Sequence, residues 1–169
     1  MQRSLEKLRL RELRNLRQLE LTPGPRFNVV SGDNGQGKSN LLEAIEYLGS
    51  LRSFRGAKAD ELICESAAQA ELWAASGGDG PAHELRISIA RAGRREVRLD
   101  GKRPRSSAQY VRALPTVLFH PGELSLSAGA ADGRRAFLDH LLTRLDETYA
   151  STLAAYTRAL ASRNRLLKA

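Results

Sequence analysis

Eight consecutive residues near the start of the chain combine three glycines with a lysine and a hydroxyl side chain. They are Gly32, Asp33, Asn34, Gly35, Gln36, Gly37, Lys38 and Ser39, and they match G-x-x-x-x-G-K-[ST]. The glycines allow the backbone to curl so that its N–H groups point inward and surround an anion. The ammonium of Lys38 is expected to reach the β- and γ-phosphates of a nucleotide, and the hydroxyl of Ser39 is expected to hold Mg²⁺.

The segments on either side of this loop have the pattern that a phosphate-binding loop requires. The short apolar run at 27–30 predicts a buried strand, and residues 40–48 predict a helix. Apolar residues at 41, 44, 45, 48 and 51 fall on one helical stripe. The alternative, a glycine-rich turn before an ordinary helix, does not account for both flanking segments.

The rest of the chain predicts a β-rich region followed by helices. Strands are predicted at 5–13, 18–21, 69–75, 84–91, 95–99 and 116–119. Turns are expected at Ala92-Gly93 and Asp100-Gly101. A short helix is predicted at 106–113, and longer amphipathic helices at 132–145, capped by Asp132, and at 147–168.

Basic residues are concentrated in one part of the sequence. The net charge is +8, and residues 86–112 contain nine Lys or Arg against two acidic residues. A cluster of this density indicates a polyanionic partner, most simply nucleic acid, whereas the alternative is a solvated basic face. The candidates for contacts to the DNA backbone are Arg94, Arg95, Arg98, Lys102, Arg103 and Arg105.

Several classes of protein are disfavoured by what the sequence lacks. It has no apolar run long enough to span a membrane, no apolar signal segment at its start, and a single cysteine, Cys64, which favours a cytoplasmic protein. It has no Asn-Lys-x-Asp motif, which disfavours a GTPase. The antiparallel character predicted after the loop disfavours a small nucleotide kinase.

The loop and its helix, from Asn34 through Leu41-Leu42-Glu43-Ala44-Ile45, resemble the ATP-binding-cassette ATPases of the SMC type. Within that group the chain resembles the RecF family over nearly all of its 169 residues. Ser39 stands where the family usually has threonine, which keeps the hydroxyl. The other motifs that carry the resemblance are Leu13-Arg14-Asn15-Leu16, Arg52-Ser53-Phe54-Arg55, Glu61-Leu62-Ile63, Phe119-x-Pro121-x-Glu123-Leu124, Arg134-Arg135-x-Phe137-Leu138-Asp139 and Arg163-Asn164-x-Leu166-Leu167-Lys168.

The resemblance implies an α/β fold, a P-loop ATPase head with a mixed sheet, an antiparallel β subdomain and the start of a helical lobe. Residues 1–119 would form the ATP-binding lobe and 120–169 the start of the helical lobe. The implied ligands are ATP and Mg²⁺, and the implied assembly is an ATP-dependent homodimer. The implied partners are single-stranded, gapped or junction DNA together with RecO and RecR, in a role that assists RecA loading and the SOS response.

The resemblance also suggests further site residues, each with a simpler alternative. Arg14 and Asn15 are expected to reach the nucleotide from the first β-turn, unless this is only an exposed turn. Glu123 is a candidate for the Mg²⁺ site, and the alternative is an exposed loop acid. Arg55 is a candidate for a phosphate or DNA contact, although an exposed loop position is slightly favoured.

A Walker B strand, four apolar residues that end in aspartate, is not found. Residues 136–139 fit a helix, and 97–100 are interrupted by Arg98. Residues 126–130 resemble the cassette signature only superficially. We therefore expect an N-terminal portion of a slow, dimer-dependent ATPase that does not hydrolyse ATP by itself. The alternatives are a DNA- or partner-binding fragment without hydrolysis and an SMC-like head of another family.

Overall fold

The structure, a computed structural model, describes residues 3–91, 95–120, 122, 130–146 and 148–167. The chain divides into two compact units, Met1–Val117 and Leu118–Ala169. The regular elements of the first unit are β1 (Arg3–Leu13), β2 (Leu16–Leu21), α1 (Lys38–Ser50), a 3₁₀ turn (Asp60–Leu62), β3 (Gln69–Gly78), β4 (His83–Ala90), β5 (Arg95–Leu99) and α2 (Ser107–Ala113). Those of the second are α3 (Ala131–Leu145) and α4 (Tyr149–Leu166).

The strands form one antiparallel sheet in the order β2-β1-β3-β4-β5. Alternate side chains of a strand point to opposite faces, so the apolar alternation of the sequence gives the sheet one apolar face. Leu10, Leu72 and Ile87 lie opposite one another across three neighbouring strands, and all three are fully buried. This register fixes the inner face of the sheet.

Helix α1 packs on that inner face. Its stripe of Leu41, Ala44 and Leu48 is buried and contacts β1, β3 and β4. Helix α2 packs against α1 and β4, and its Tyr110 is fully buried. The helix that follows the glycine-rich loop at 32–37 is therefore part of the hydrophobic core, and the core positions the loop.

Most of the elements predicted from the sequence are confirmed. The predicted strands at 5–13, 18–21, 69–75, 84–91 and 95–99 correspond to β1 to β5, and the predicted helices correspond to α1 to α4 within a few residues. Asp100 and Gly101 form a tight turn with φ of 52° and 74°. The turn predicted at Ala92-Gly93 lies outside the described residues.

Two predicted strands were wrong. Residues 27–30 and 116–119 have no regular secondary structure, and Phe27, Val29 and Val117 are more than 90% exposed. A short apolar run predicts burial in a sheet only if neighbouring strands pair with it. The described residues provide no such neighbour, and the sheet that they form is antiparallel throughout.

The second unit consists of α3 and α4 in the residues that are described. Asp132 does not cap α3 as predicted, because the helix begins at Ala131 and the N-cap position is Ala130. Asp132 lies in the first turn, where it forms an ion pair with Arg135. Its negative charge there interacts favourably with the positive end of the helix dipole. None of the helices in the described part of the chain has the length and apolar character needed to cross a bilayer.

Candidate nucleotide-binding site

The loop between residues 32 and 37 curls through three glycines with positive φ. Gly32, Gly35 and Gly37 have φ of 147°, 83° and 96°. Gly37 is the N-cap of α1, and a Cβ built on it would lie 2.8 Å from both Asn15 Oδ1 and Leu16 Cδ2. The loop therefore sits directly against the β1–β2 turn, and only glycine fits at that contact.

Lys38 places its ammonium group inside this curl. Its Nζ donates hydrogen bonds of 2.7 Å to the carbonyl oxygens of Gly32 and Asp33. The side chain thus folds back over the loop instead of extending into solvent. A phosphate bound by the loop would meet this charge directly.

The N-terminus of α1 has the electrostatics of an anion site. Its first turn has neither a capping side chain nor an acidic residue. It carries Lys38 instead, although a cation is unfavourable at the positive end of the helix dipole. A phosphate bound there would compensate both the ammonium charge of Lys38 and the positive end of the helix dipole. Ser39, the next residue, is exposed, and its hydroxyl is a suitable ligand for Mg²⁺.

Two asparagine side chains connect the loop to the sheet. Asn15 Nδ2 donates to the Gly35 carbonyl at 2.8 Å, and Asn40 Nδ2 donates to Asn15 Oδ1 at 2.8 Å. The β1–β2 turn therefore holds the middle of the loop through a side-chain amide. Direct contact between Asn15 and a nucleotide remains a prediction.

Arg14 pairs with a buried carboxylate of α1. Its Nε and Nη2 donate to Glu43 Oε2 and Oε1, both at 3.1 Å, and its Nη1 donates to the Glu61 carbonyl at 2.8 Å. Glu43 has no exposed surface. Arg14 thus ties the β1–β2 turn to the middle of α1, and its contact with a nucleotide stays a prediction.

Glu43 also binds the loop that follows α1. Ser53 Oγ donates to Glu43 Oε1 at 2.5 Å, and Arg55 Nη1 donates to Glu43 Oε2 at 3.1 Å. The same Arg55 nitrogen donates to Asn40 Oδ1 at 2.7 Å. We call Arg14, Asn40, Glu43, Ser53 and Arg55 the Glu43 cluster.

The cluster keeps Glu43 ionised. Burial alone would raise the pKa of Glu43, but the hydrogen bonds from Arg14 and Ser53 and the charges of Arg14 and Arg55 outweigh burial and lower the pKa. A buried carboxylate with this many donors is an organising centre for the loops around it.

The residues predicted to contact DNA fall into different environments. All five that are described are exposed, but Arg95 and Arg98 donate side-chain hydrogen bonds within the chain, whereas the side chains of Lys102, Arg103 and Arg105 have no such partner among the described residues. Arg94, and Glu123 of the predicted Mg²⁺ site, lie outside the described residues. The predicted DNA and metal roles therefore remain predictions.

Sequence reasoning missed the Glu43 cluster. Glu43 occurs beside the apolar stripe of a predicted helix, which indicates only an amphipathic face. Arg14 and Arg55 belong to two separated motifs, and the sequence does not show that both reach one carboxylate. The available signal was an acidic residue close to the buried stripe of a core helix.

The contact at Gly37 makes a testable prediction. Alanine at this position would adopt a left-handed backbone, at roughly 1–2 kcal/mol, and would also collide with Asn15 and Leu16. We expect Gly37→Ala to weaken nucleotide binding at least 10-fold, measured by titration with a fluorescent ATP analogue. Gly56→Ala is the control, because Gly56 has φ of 72° but no neighbouring atom within 4 Å of the new Cβ. Equal loss of affinity in both variants would contradict the importance of this contact.

Known proteins of one family resemble this chain over most of its length. The family model for the RecF/RecN/SMC N terminal domain matches residues 4–130. Proteins named DNA replication and repair protein RecF match from Synechococcus sp. strain JA-2-3B'a(2-13), with 37% identity, and from Syntrophotalea carbinolica, with 38% identity. Each alignment covers 97% of this chain but only 43% and 45%, respectively, of the relative.

Solved structures give the same result. The recombination mediator protein RecF-ATPrS of the RecFOR pathway superimposes with a TM-score of 0.92 at 29% identity, over 98% of this chain and 45% of that one. A structure from work on the ATP-driven dimerization of SMC ATPases has a TM-score of 0.63 at 20% identity, over 81% of this chain and 98% of its own. The second likeness shows the fold alone, an SMC-like ATPase head.

The chain thus spans less than half the length of the curated relatives that it matches. With the family model covering most of its residues, the chain belongs to the RecF/RecN/SMC N-terminal domain family, and it corresponds to an N-terminal portion of the RecF proteins that it resembles.

Proposed function

We propose that this chain is the ATP-binding portion of a RecF-type DNA replication and repair protein. The observation that carries the proposal is the position of Lys38, whose ammonium lies inside a loop of left-handed glycines at the uncapped start of α1. That arrangement suits the phosphates of a nucleotide. The relatives named RecF, one of them described as RecF-ATP, support ATP as that nucleotide.

In this proposal each part of the site has one role. The N–H groups of the loop and of the first turn of α1 bind the phosphates, and Lys38 binds the terminal ones. Ser39 contributes its hydroxyl to Mg²⁺, which would neutralise phosphate charge when bound. Asn15 and Asn40 keep the loop in shape, and Arg55 links Glu43 to Asn40, which in turn donates to Asn15.

We assign residues 1–119 to the ATP-binding lobe and 120–169 to the start of a helical lobe. The sequence contains no Walker B strand, so the chain is expected to bind ATP without hydrolysing it. In the complete protein, ATP-dependent dimerisation would create the hydrolytic site. The complete protein would act in the cytoplasm, where it would bind single-stranded, gapped or junction DNA. It would cooperate with RecO and RecR and would support RecA loading and the SOS response.

A direct binding experiment tests the proposal. The folded chain is titrated with a fluorescent ATP analogue in the presence and absence of Mg²⁺, and release of phosphate is followed in parallel. We expect micromolar binding that strengthens with Mg²⁺, and no phosphate release above background. Failure of the folded chain to bind Mg·ATP would overturn the proposal. Hydrolysis by the chain alone would contradict the assignment of a non-hydrolysing portion.

The alternative, a fragment that binds DNA or a partner without using nucleotide, has a separate test. A piece that binds DNA or a partner without using nucleotide would bind a labelled oligonucleotide equally well with and without Mg·ATP. An ATP-dependent protein would bind the oligonucleotide more tightly with Mg·ATP. The comparison is made on the same preparation, with thermal unfolding as the check that the chain is folded in both conditions.

A further inference from the structure

A cleft of about 900 Å³ lies between β5 and the segment that leads into α2. This volume is within the range of ligand-binding clefts, roughly 300–1,000 Å³. The described residues that line it are Leu51, Arg95, Glu96, Val97, Arg103, Pro104, Arg105, Ser106 and Ser107. Three of them are arginines and one is an acid, so the described lining is basic.

Two of the three arginines have unengaged side chains. Arg103 and Arg105 are exposed, and neither guanidinium has an ion pair or a hydrogen bond to any described residue. The main chain beneath them is nevertheless fixed, because Arg105 N donates to Gln109 Oε1 at 2.7 Å and Gln109 N donates to Ser106 Oγ at 3.1 Å. The segment thus presents two unpaired cations from an anchored backbone.

The third arginine is held by α1. Arg95 Nη1 donates to the Leu51 carbonyl at 2.9 Å and to Tyr47 Oη at 3.2 Å, at the C-terminal end of that helix. Arg98, three residues further along β5, is paired with Glu96 at 2.6 Å and also donates to the Gly101 carbonyl at 3.1 Å. Both side chains therefore have hydrogen-bond partners within the chain, which distinguishes them from Arg103 and Arg105.

The lining also indicates how the cleft would recognise an anion. None of the described lining residues is aromatic, so there is no platform on which a base would stack. Guanidinium and hydroxyl groups instead match phosphate oxygens, which arginine binds in a bidentate manner. Contacts of this kind are independent of base sequence.

We propose that this cleft binds the phosphodiester backbone of a DNA strand through Arg103 and Arg105. The inference rests on the proposed DNA-binding function. It assigns different roles to two pairs of arginines in the basic region at 86–112. Arg103 and Arg105 contact phosphates, whereas Arg95 and Arg98 hold the walls of the cleft in place.

The test is the salt dependence of DNA binding by the 169-residue chain. A fluorescein-labelled thymidine oligonucleotide and a duplex of the same length are titrated by anisotropy at several salt concentrations. For the single strand, Arg103→Ala/Arg105→Ala should weaken binding about 10-fold and reduce the slope of log K against log salt by about 1.4, since each lost phosphate contact contributes about 0.7. Comparison of the two DNA forms identifies which one supplies the phosphates.

Two control variants make the result specific. Arg103→Lys/Arg105→Lys keeps both charges and should keep most of the slope. Arg11→Ala/Lys58→Ala removes two exposed charges outside the cleft and should bind like the unaltered chain. Because Arg103 and Arg105 have no side-chain partners in the described residues, thermal unfolding of the double alanine variant should be unchanged.

The possible outcomes distinguish failure of the cleft proposal from failure of the proposed DNA-binding function. If the unaltered chain binds DNA and the double alanine variant binds each DNA form as tightly as the unaltered chain does, the proposal that this cleft binds DNA is overturned. DNA binding by the chain would then still stand. If the folded, unaltered chain binds neither DNA form, DNA binding by this portion fails, and the cleft fails with it. Loss of affinity and slope on at least one DNA form, with the control unchanged, supports the cleft.

Discussion

Lys38→Ala is expected to lower the affinity of the chain for Mg·ATP about 100-fold, which corresponds to about 2.8 kcal/mol. The Lys38 ammonium lies inside the loop, within hydrogen-bond distance of two loop carbonyls. A phosphate there would receive a charge-assisted hydrogen bond, each worth roughly 1.5–3 kcal/mol. The variant would lose this bond and the charge that balances the phosphates. Titration with a fluorescent ATP analogue measures the change.

Lys58→Ala is the matched control for this experiment. It removes the same charge from an exposed position next to the 3₁₀ turn, outside the loop. We expect its affinity for Mg·ATP to equal that of the unaltered chain, and both variants should unfold at nearly the same temperature. A Lys38→Ala chain that kept full affinity for Mg·ATP would contradict the assignment of this loop as the nucleotide site.

Glu43→Ala is expected to reduce the free energy of unfolding by about 3 kcal/mol, the lower end of the effect of removing one partner from a buried ion pair. The substitution leaves Arg14 and Arg55 without their carboxylate in a region where Glu43 itself is fully buried. The arginine side chains are 24% and 38% exposed, so water can reach part of each charge and moderates the loss. Denaturant unfolding measures the difference.

Glu20→Ala is the natural comparison, because Glu20 also has two basic partners, Lys7 at 2.6 Å and Arg9 at 3.3 Å. Glu20 is half exposed, and exposed ion pairs contribute little to stability. We therefore expect Glu20→Ala to leave the unfolding free energy nearly unchanged. Similar losses in the two variants would show that burial does not give Glu43 its importance.

The pH dependence of unfolding gives an independent check on Glu43. Its pKa is lowered in the folded state, below the ordinary value of 4.5, so the unfolded chain takes up this proton first as the pH falls. The contribution of Glu43 is therefore complete above 4.5 and is lost as the pH falls through the lower folded pKa. Glu43→Ala should show a shallower loss of stability on acidification than the unaltered chain.

The loop and its helix were predictable because their information is local. Gly37, Lys38 and the apolar stripe of α1 lie within a few residues of one another, and each has a definite conformational or chemical meaning. The strands of the antiparallel sheet were predictable for a similar reason. Alternation in Leu8 and Leu10 of β1 needs only one covered face, which α1 provides.

The errors came from features that depend on distant partners. Residues 27–30 and 116–119 have the composition of buried strands, but burial requires neighbouring strands, which the described residues lack. The Glu43 cluster was missed because Arg14 lies 29 positions before Glu43 and Arg55 lies 12 after it. Local patterns report the periodicity of an element and do not report which charged side chains meet across elements.

Helix α1 is tied to its surroundings at both ends, by Asn40 near its start and by the Arg95 bond to the Leu51 carbonyl at its end. Its first-turn N–H groups are therefore already oriented before any ligand arrives. A preorganised site loses little conformational entropy on binding, and even residues 31–36, which have no helix or strand, are held by the bonds of Asn15 and Lys38 to loop carbonyls. The proposed nucleotide would therefore meet a short loop that is already fastened to an anchored helix.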